Sequence, residues 1–333
     1  MTGAGDGRTV EGGAQPTPRS TAKVAVVGAG AVGATLAYAV LMRGAAREVV
    51  LYDVDAAKVR AQALDLAHGI QFVPMAHVVG TDDITACAGA DVVVVTAGAN
   101  QRPGQTRTDL AERTIGLMRT LVPQLLEVAP DAVYVMVTNP VDVVTYAALR
   151  FSGLPRARVI GSGTVLDSSR FRYLISQHVG VAVQNVHAYI VGEHGDTAVP
   201  LWSSATIGGV PLLDLEPLAG REPLTPAVRA SIAHDVVHSA YEIIAGKGAT
   251  SYAIGLAGSR IVEALTNDEH RVMPVSSLID DLDGIRDVCL SVPTVVAHDG
   301  AGTPLRVPMS TDELVALRRS ADALRATARP FGL

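Results

Sequence analysis

A histidine, His194, stands in the stretch Val191-Gly192-Glu193-His194-Gly195-Asp196-Thr197, after an apolar run from Val186 to Val191 that reads as a strand. Glycines and acids around a histidine at a strand end suit contact with a ligand better than packing. The ordinary pKa of an imidazole lies near neutrality, so such a residue can take and return a proton. The alternative is a loop histidine held by neighbouring carboxylates. A second pair, Asp167 and Arg170, lies in a segment of helical pattern from about Val165 to His178. Their i, i+3 spacing puts both on one face, which by itself is an ordinary intrahelical ion pair. Arg172 is two residues further on, about 200° round the helix, and faces elsewhere.

The elements that would position these groups begin near residue 22. Lys23-Val24-Ala25-Val26-Val27 is a short β-branched run, Gly28-Ala29-Gly30-Ala31-Val32-Gly33 follows at once, and Ala34 to Arg43 reads as a helix. Glu48 to Tyr52 is the next strand, closed by Asp53, which stands 20 residues after Gly33. Strand, G-x-G-x-x-G, helix, strand and acid form the dinucleotide fingerprint. Gly28 permits the tight turn, Gly30 lets the backbone approach a pyrophosphate, and Gly33 allows close helix–strand packing. The helix N-terminus offers free N–H groups to the phosphates, and Val32, just ahead of it, is a further cofactor-binding candidate. Asp53 would accept hydrogen bonds from ribose hydroxyls and repel a 2′-phosphate, which favours NAD over NADP. Lys58, one turn into a helix over residues 56–68, reads either as a neighbour of the adenosine or as a solvated surface lysine.

Asp91 to Thr96 is a continuous apolar strand that ends in Ala97-Gly98-Ala99, small residues where a cofactor could lie against the backbone. Val133 to Val137 is another, ending in Thr138-Asn139-Pro140. Strands alternating with helices imply an α/β, Rossmann-type doubly wound parallel sheet with ligands at the carboxyl ends of its strands. Between these two strands lies Asn100-Gln101-Arg102-Pro103-Gly104-Gln105-Thr106-Arg107, ahead of a long helix from about Thr108 to Val128. That composition suits a mobile lid, or an ordinary solvated connection.

The second half changes character, to an α+β pattern. Leu224 to Ala245 and Thr250 to Leu265 read as helices, the latter with small residues that permit close packing. Met273 to Leu278 and Val288 to Val292 read as strands, and Thr311 to Ala328 as an amphipathic helix with its N-cap near Ser310. The division expected is a disordered tail over residues 1–20, a nucleotide-binding domain over 21–162 and a catalytic domain over 163–333.

Bulk properties narrow the function classes. The chain has 333 residues, 48% hydrophobic but only 4% aromatic, so Ala, Val, Leu and Ile must supply the core. A net charge of −6 gives no basic field for nucleic acid. No apolar run reaches the roughly 18 to 20 residues of a membrane span, and the N-terminus has no secretory h-region. Two cysteines suggest a reducing compartment, which points to the cytoplasm. His234 and His238, at i, i+4 on a helix, could suggest a metal pair, but no H-E-x-x-H pattern or third ligand accompanies them, and no metal is expected.

Five motifs carry a resemblance: GAGAVG (28–33), NQRPGQTR (100–107), TNPVD (138–142), GSGTVLDSSRFR (161–172) and GEHGDT (192–197). With them the chain resembles the NAD-dependent L-lactate and malate dehydrogenases from about residue 22 to 328. The resemblance implies reversible hydride transfer between L-lactate or pyruvate and the nicotinamide of NAD. In it His194 takes and returns the hydroxyl proton, Asp167 stabilises the imidazolium, and Arg170 grips the substrate carboxylate with a bidentate fork. It also implies that Arg107 swings in with its loop to polarise the C2 oxygen. Asn139 orients the substrate and helps close the nicotinamide site, and Val137 and Ser162 are further cofactor contacts.

Substrate choice turns on Gln101. Malate dehydrogenases have an arginine there for the second carboxylate of oxaloacetate, and an enclosed unpaired carboxylate costs several kcal/mol, roughly a thousandfold in discrimination. A one-residue slip would put Arg102 in that role, but Pro103-Gly104 and Arg107 fix the spacing. Thr250 forms the other wall of the side-chain pocket. Gln105 stands where lactate-type loops usually have Glu, which bears on the strictness of specificity. The resemblance further implies a homotetramer and, as in bacterial enzymes activated by fructose 1,6-bisphosphate, an effector site on Arg172 and His187 at a subunit interface. The alternative for those two is a surface arginine and a strand histidine packed by chance. The rival functions are malate dehydrogenase on the same scaffold and a non-catalytic NAD-binding sensor.

Overall fold

The computed structural model describes residues 21–98 and 107–333, without the side chains of residues 107 and 108. The expected tail over residues 1–20, the loop over 100–106 with Gln101, and Ala99 lie outside the described residues.

The first half alternates strands and helices. β1 (Lys23–Val27), α1 (Ala31–Arg43), β2 (Glu48–Tyr52), α2 (Ala56–His68), β3 (His77–Thr81) and β4 (Val92–Val95) form one half of the winding. α3 (Arg107–Val128), β5 (Val133–Met136), α4 (Val141–Ser152) and β6 (Val159–Gly161) form the other. The six strands are parallel, in the order β3-β2-β1-β4-β5-β6. The order reverses between β1 and β4, and the crevice outside their carboxyl ends is where such sheets bind ligands. Both faces of the sheet are covered. Leu36 and Val40 of α1 pack on one side, and Met118, Leu125, Val144 and Ala148 of α3 and α4 pack on the other. β4 and β5 are buried along their whole length, which is why they read as unbroken apolar runs.

The second half contains α5 (Val165–Val179), five two-residue strands, two helices, a hairpin sheet and a terminal helix. The short strands are β7 (Val186–His187), β8 (Ile190–Val191), β9 (Val199–Pro200), β10 (Thr206–Ile207) and β11 (Val210–Pro211). α6 (Pro226–Lys247), α7 (Tyr252–Thr266), β12 (Arg271–Ile279), β13 (Val288–Ala297), β14 (Gly300–Pro304) and α8 (Thr311–Ala328) follow. β12, β13 and β14 run antiparallel and join the main sheet where Ser276 pairs with Gly161, so one nine-stranded sheet crosses both halves. α8 starts at Ser310 with a reciprocal capping box to Glu313, the N-cap read from sequence.

Two expectations need correction. The run Val186 to Val191 is two strands rather than one. β7 pairs with β10 and β8 with β9, and the chain turns between them, where the Ala188 carbonyl accepts the Arg172 Nε–H at 2.8 Å. β3 and β6 carry no apolar run long enough to stand out, and only the sheet makes them strands.

The small residues of α7 have a clear use. A Cβ on Gly255 would meet Thr35 Cγ2 at 2.6 Å, and one on Gly258 would meet Leu36 Cδ1 at 2.4 Å. The helix α7 of the second half thus lies directly against α1. Substituting Gly258→Val should overpack this contact and cost about 1–3 kcal/mol. Thermal unfolding should show a lowered midpoint, and an unchanged midpoint would mean that the two helices separate without cost.

Candidate active site and cofactor cradle

The turn after β1 is built for a backbone-only approach. Gly28 has φ +100°, and a Cβ there would lie 2.7 Å from the Ala97 nitrogen at the end of β4. A Cβ on Gly33 would fall 1.9 Å from the Gly28 carbonyl oxygen. In front of Gly30 nothing lies within 4 Å of where a Cβ would stand, and no side chain caps the N-terminus of α1. Among the described residues the first N–H groups of α1 are therefore uncapped and lie beside open space at Gly30, which fits a pyrophosphate. Val32 sits half-buried in the first turn of α1 against the core.

Asp53 closes β2 on the same side. Its Oδ2 accepts the Ala29 N–H at 2.7 Å and its Oδ1 the Asp55 N–H at 3.0 Å. Lys58, an exposed lysine, pairs through Nζ with Oδ2 at 2.8 Å, so it is both solvated and tied to the acid. Partial burial pushes the Asp53 carboxyl up, but Lys58 and the two N–H donors outweigh it and hold the group below its ordinary range. The charge that would select ribose hydroxyls over a 2′-phosphate is thereby kept.

The ends of β4 and β5 meet at Gly98, where a Cβ would lie 2.1 Å from Thr138 Cγ2, while the Thr138 hydroxyl donates to the Ala97 carbonyl at 2.8 Å. Val137 is buried and Asn139 exposed at the carboxyl end of β5. Ser162 is buried after β6, its N–H bonded to the Met136 carbonyl at 2.8 Å.

The charged groups of the second half converge on one carboxylate. Asp167, 5% exposed in the first turn of α5, has its Oδ2 at 2.5 Å from His194 Nδ1. Its Oδ1 accepts from Arg170 at 2.8 Å. The i, i+3 pair is therefore part of a three-membered array rather than an isolated surface bridge. The Asp167 charge raises the His194 pKa against the opposing effect of burial. Burial alone would push the Asp167 carboxyl up, but His194 and Arg170 bring it below its ordinary range. With Nδ1 engaged, the free ring nitrogen of His194 is Nε2.

Contacts not read from sequence hold this array in register. Ser168, next to Asp167, accepts the Ile190 N–H at 2.8 Å, and Thr164 Oγ1 donates to the Ile190 carbonyl at 2.5 Å. α5 thus grips β8, four residues before His194. Gly192 bridges to Ser291 of β13, and Ser320 of α8 accepts the Glu193 N–H at 2.8 Å. The His194 N–H donates to Asp142 Oδ2 at 2.8 Å, in the first turn of α4 just after Asn139. The signals were present, since Asp142 and Ser168 lie inside quoted motifs, but a hydroxyl or carboxylate facing a distant backbone leaves no periodic trace.

The remaining candidates are placed as follows. Thr250 is half-buried in the link between α6 and α7. Arg107 opens α3. The Arg172 guanidinium lies 4.9 Å over the Tyr189 ring, and exposed His187 is adjacent to Ala188, which Arg172 bonds. His234 and His238 stack on each other at 3.8 Å, and among the described residues no group of three His, Cys, Asp or Glu could hold a metal ion.

A cradle closed to side chains at a Rossmann switch point, and a histidine kept basic by a buried carboxylate, equip one molecule to move a hydride and a proton together. Fold and site define a nicotinamide-dependent oxidoreductase. Residues 22–161 match the lactate/malate dehydrogenase NAD binding domain, and residues 164–330 the lactate/malate dehydrogenase alpha/beta C-terminal domain. The chain belongs to the lactate/malate dehydrogenase family, and NAD is its cofactor. It is 53% identical over 316 residues to an L-lactate dehydrogenase of Bifidobacterium animalis subsp. lactis, across 95% of this chain and 99% of that protein. It is 47% identical over 305 residues to one of Gloeobacter violaceus, across 92% of each. The crystal structure of the minor L-lactate dehydrogenase from Enterococcus mundtii in the ligands-bound form superposes with a TM-score of 0.89 at 37% identity, covering 93% of this chain and 98% of that one.

Replacing Asp167→Asn removes the charge that raises the His194 pKa. NMR titration of the imidazole should show its midpoint moved to lower pH, with the protonated form lost earlier as pH rises. A midpoint that stays in place would remove Asp167 from this role.

Proposed function

We propose that the chain catalyses the reversible oxidation of L-lactate to pyruvate with NAD, with residues 21–162 binding the cofactor and 163–333 the substrate. The observation that carries this reading is the single Asp167 carboxylate holding His194 with one oxygen and Arg170 with the other. The L-lactate dehydrogenases to which the chain is similar along nearly its whole length support it.

NAD, when bound, supplies the hydride acceptor. Gly28, Gly30, Val32 and Gly33 would receive its pyrophosphate, Asp53 its adenosine ribose, with Lys58 beside that acid, and Gly98, Ala99, Val137, Asn139 and Ser162 its nicotinamide half. His194 Nε2 takes the hydroxyl proton of lactate as C2 gives up its hydride, and returns it to the carbonyl oxygen of pyruvate in reverse. Asp167 stabilises the imidazolium formed on the way. Arg170, one nitrogen committed to Asp167, presents the rest of its fork to the substrate carboxylate and fixes which face of C2 meets the cofactor. Arg107 polarises the C2 oxygen, Asn139 orients the substrate, and Gln101 with Thr250 leaves room for a methyl group but no partner for a second carboxylate.

The working form is a homotetramer. Large apolar side chains support an oligomer, exposed on α1 and around α2 (Tyr38, Met42, Leu64, Phe72, Met75) and on α6 and α7 (Tyr241, Ile244, Tyr252, Leu256). Arg172 and His187 form the site for fructose 1,6-bisphosphate, a reading supported by the Arg172 bond to the carbonyl of Ala188, the residue next to His187, and binding there biases a two-state assembly. Both cysteines are buried free thiols, which accords with a cytoplasmic enzyme.

The test is NADH oxidation with pyruvate and with oxaloacetate, each with and without fructose 1,6-bisphosphate. Pyruvate should be preferred, by roughly a thousandfold, and the bisphosphate should lower the pyruvate concentration needed in dilute enzyme. Preference for oxaloacetate would mean that Arg102, not Gln101, reads the substrate. An unchanged saturation curve would dismiss the effector site.

A further inference from the structure

Asp142 closes the Thr138–Asp142 motif and takes no part in the mechanism above. It lies in the first turn of α4, is 2% exposed, and accepts the His194 backbone N–H through Oδ2 at 2.8 Å. Its Oδ1 has no hydrogen-bond partner among the described residues. With Tyr146 of α4, Cys289 of β13 and Leu324 and Ala328 of α8 it lines a cavity of about 260 Å³. A carboxylate so enclosed is costly unless its charge has a use, because a neutral acceptor would satisfy one N–H equally well.

We propose that Asp142 is the positioning residue of the proton-transfer loop: its carboxylate fixes the His194 main chain from behind while Asp167 fixes the ring from the side. The inference rests on His194 being the acid–base group. The two carboxylates act on different atoms of one residue, the main-chain nitrogen and Nδ1, which leaves Nε2 as the end of a histidine held twice. Asn139, the nicotinamide-side residue, stands three positions before Asp142 on the same connection into α4, so one short segment ties the carboxyl end of β5 to the histidine loop.

The electrostatics agree. Burial pushes the Asp142 carboxyl up to about 6, against the pull of the Ser276 hydroxyl and of His194. Asp142 in turn raises the His194 pKa, after the larger effect of Asp167. The other titratable or charged groups around it are Glu193 on the loop, Asp287 and Cys289 at β13, and Arg325 and Arg329 at the end of α8.

The experiment compares Asp142→Ala and Asp142→Asn with the parent enzyme, with NADH binding as the check on folding. Loss of the acceptor in Asp142→Ala should lower kcat for pyruvate reduction about 10- to 100-fold, as a displaced catalytic group does, with little change in NADH affinity. Asp142→Asn retains a carbonyl acceptor and should recover most of that kcat. It lacks the charge, so the alkaline limb of pyruvate reduction, where His194 loses its proton, should move to lower pH. Parental kcat in both variants, or equal losses in both with the parental alkaline limb, would overturn the assignment of Asp142 alone. His194→Gln run alongside reports on the underlying reading: full turnover in that variant would overturn both.

Discussion

One carboxylate sets the geometry of the site. Asp167 is almost wholly buried, and its two oxygens are spent on two basic side chains, His194 at 2.5 Å and Arg170 at 2.8 Å. A buried anion is tolerable only where such partners surround it, and removing any one leaves an uncompensated charge. The need for neutrality thus binds the proton-transfer group and the carboxylate-binding group into one unit with a fixed separation. The raised pKa of His194 and the lowered pKa of Asp167 are two views of that one attraction.

The rest of the structure holds this unit against the cofactor. α5 carries Asp167 and Arg170 and, through Ser168 and Thr164, pins the strand that leads to His194. Gly192, Glu193 and His194 are each tied by a main-chain bond to a different element, β13, α8 and α4. β12 continues the sheet at Gly161, and α7 lies on α1 through glycines that allow close contact, so the two halves are joined at both places.

Much of this was legible in the residues, and the reasons differ from element to element. The cradle was readable because its requirement is steric and local: Gly28 and Gly33 sit where a Cβ would strike backbone, and only glycine satisfies that. The buried strands β4 and β5 were readable because burial on both faces forces an apolar run. The break at Ala188 that splits the run before His194 was not, since it shows only in which distant strands the two parts pair with, β10 and β9. Asp142 likewise sat in full view in a quoted motif, but its partner is a backbone amide 52 residues away, and no spacing rule reports such a contact. The likeness to lactate/malate dehydrogenases gave roles to side chains such as Arg170, whose sequence context alone spells only an ion pair.

The account stands or falls on His194 carrying the proton. The most direct measurement is the pH dependence of kcat/KM for pyruvate reduction and for lactate oxidation with the same enzyme. Pyruvate reduction consumes a proton from the imidazolium and should fall as pH rises. Lactate oxidation needs the neutral ring and should fall as pH drops, with both limbs set by a group titrating above the ordinary histidine value of 6.5. Limbs that run in the same direction in both reactions would contradict the account, because no single group could then be giving the proton in one direction and taking it in the other.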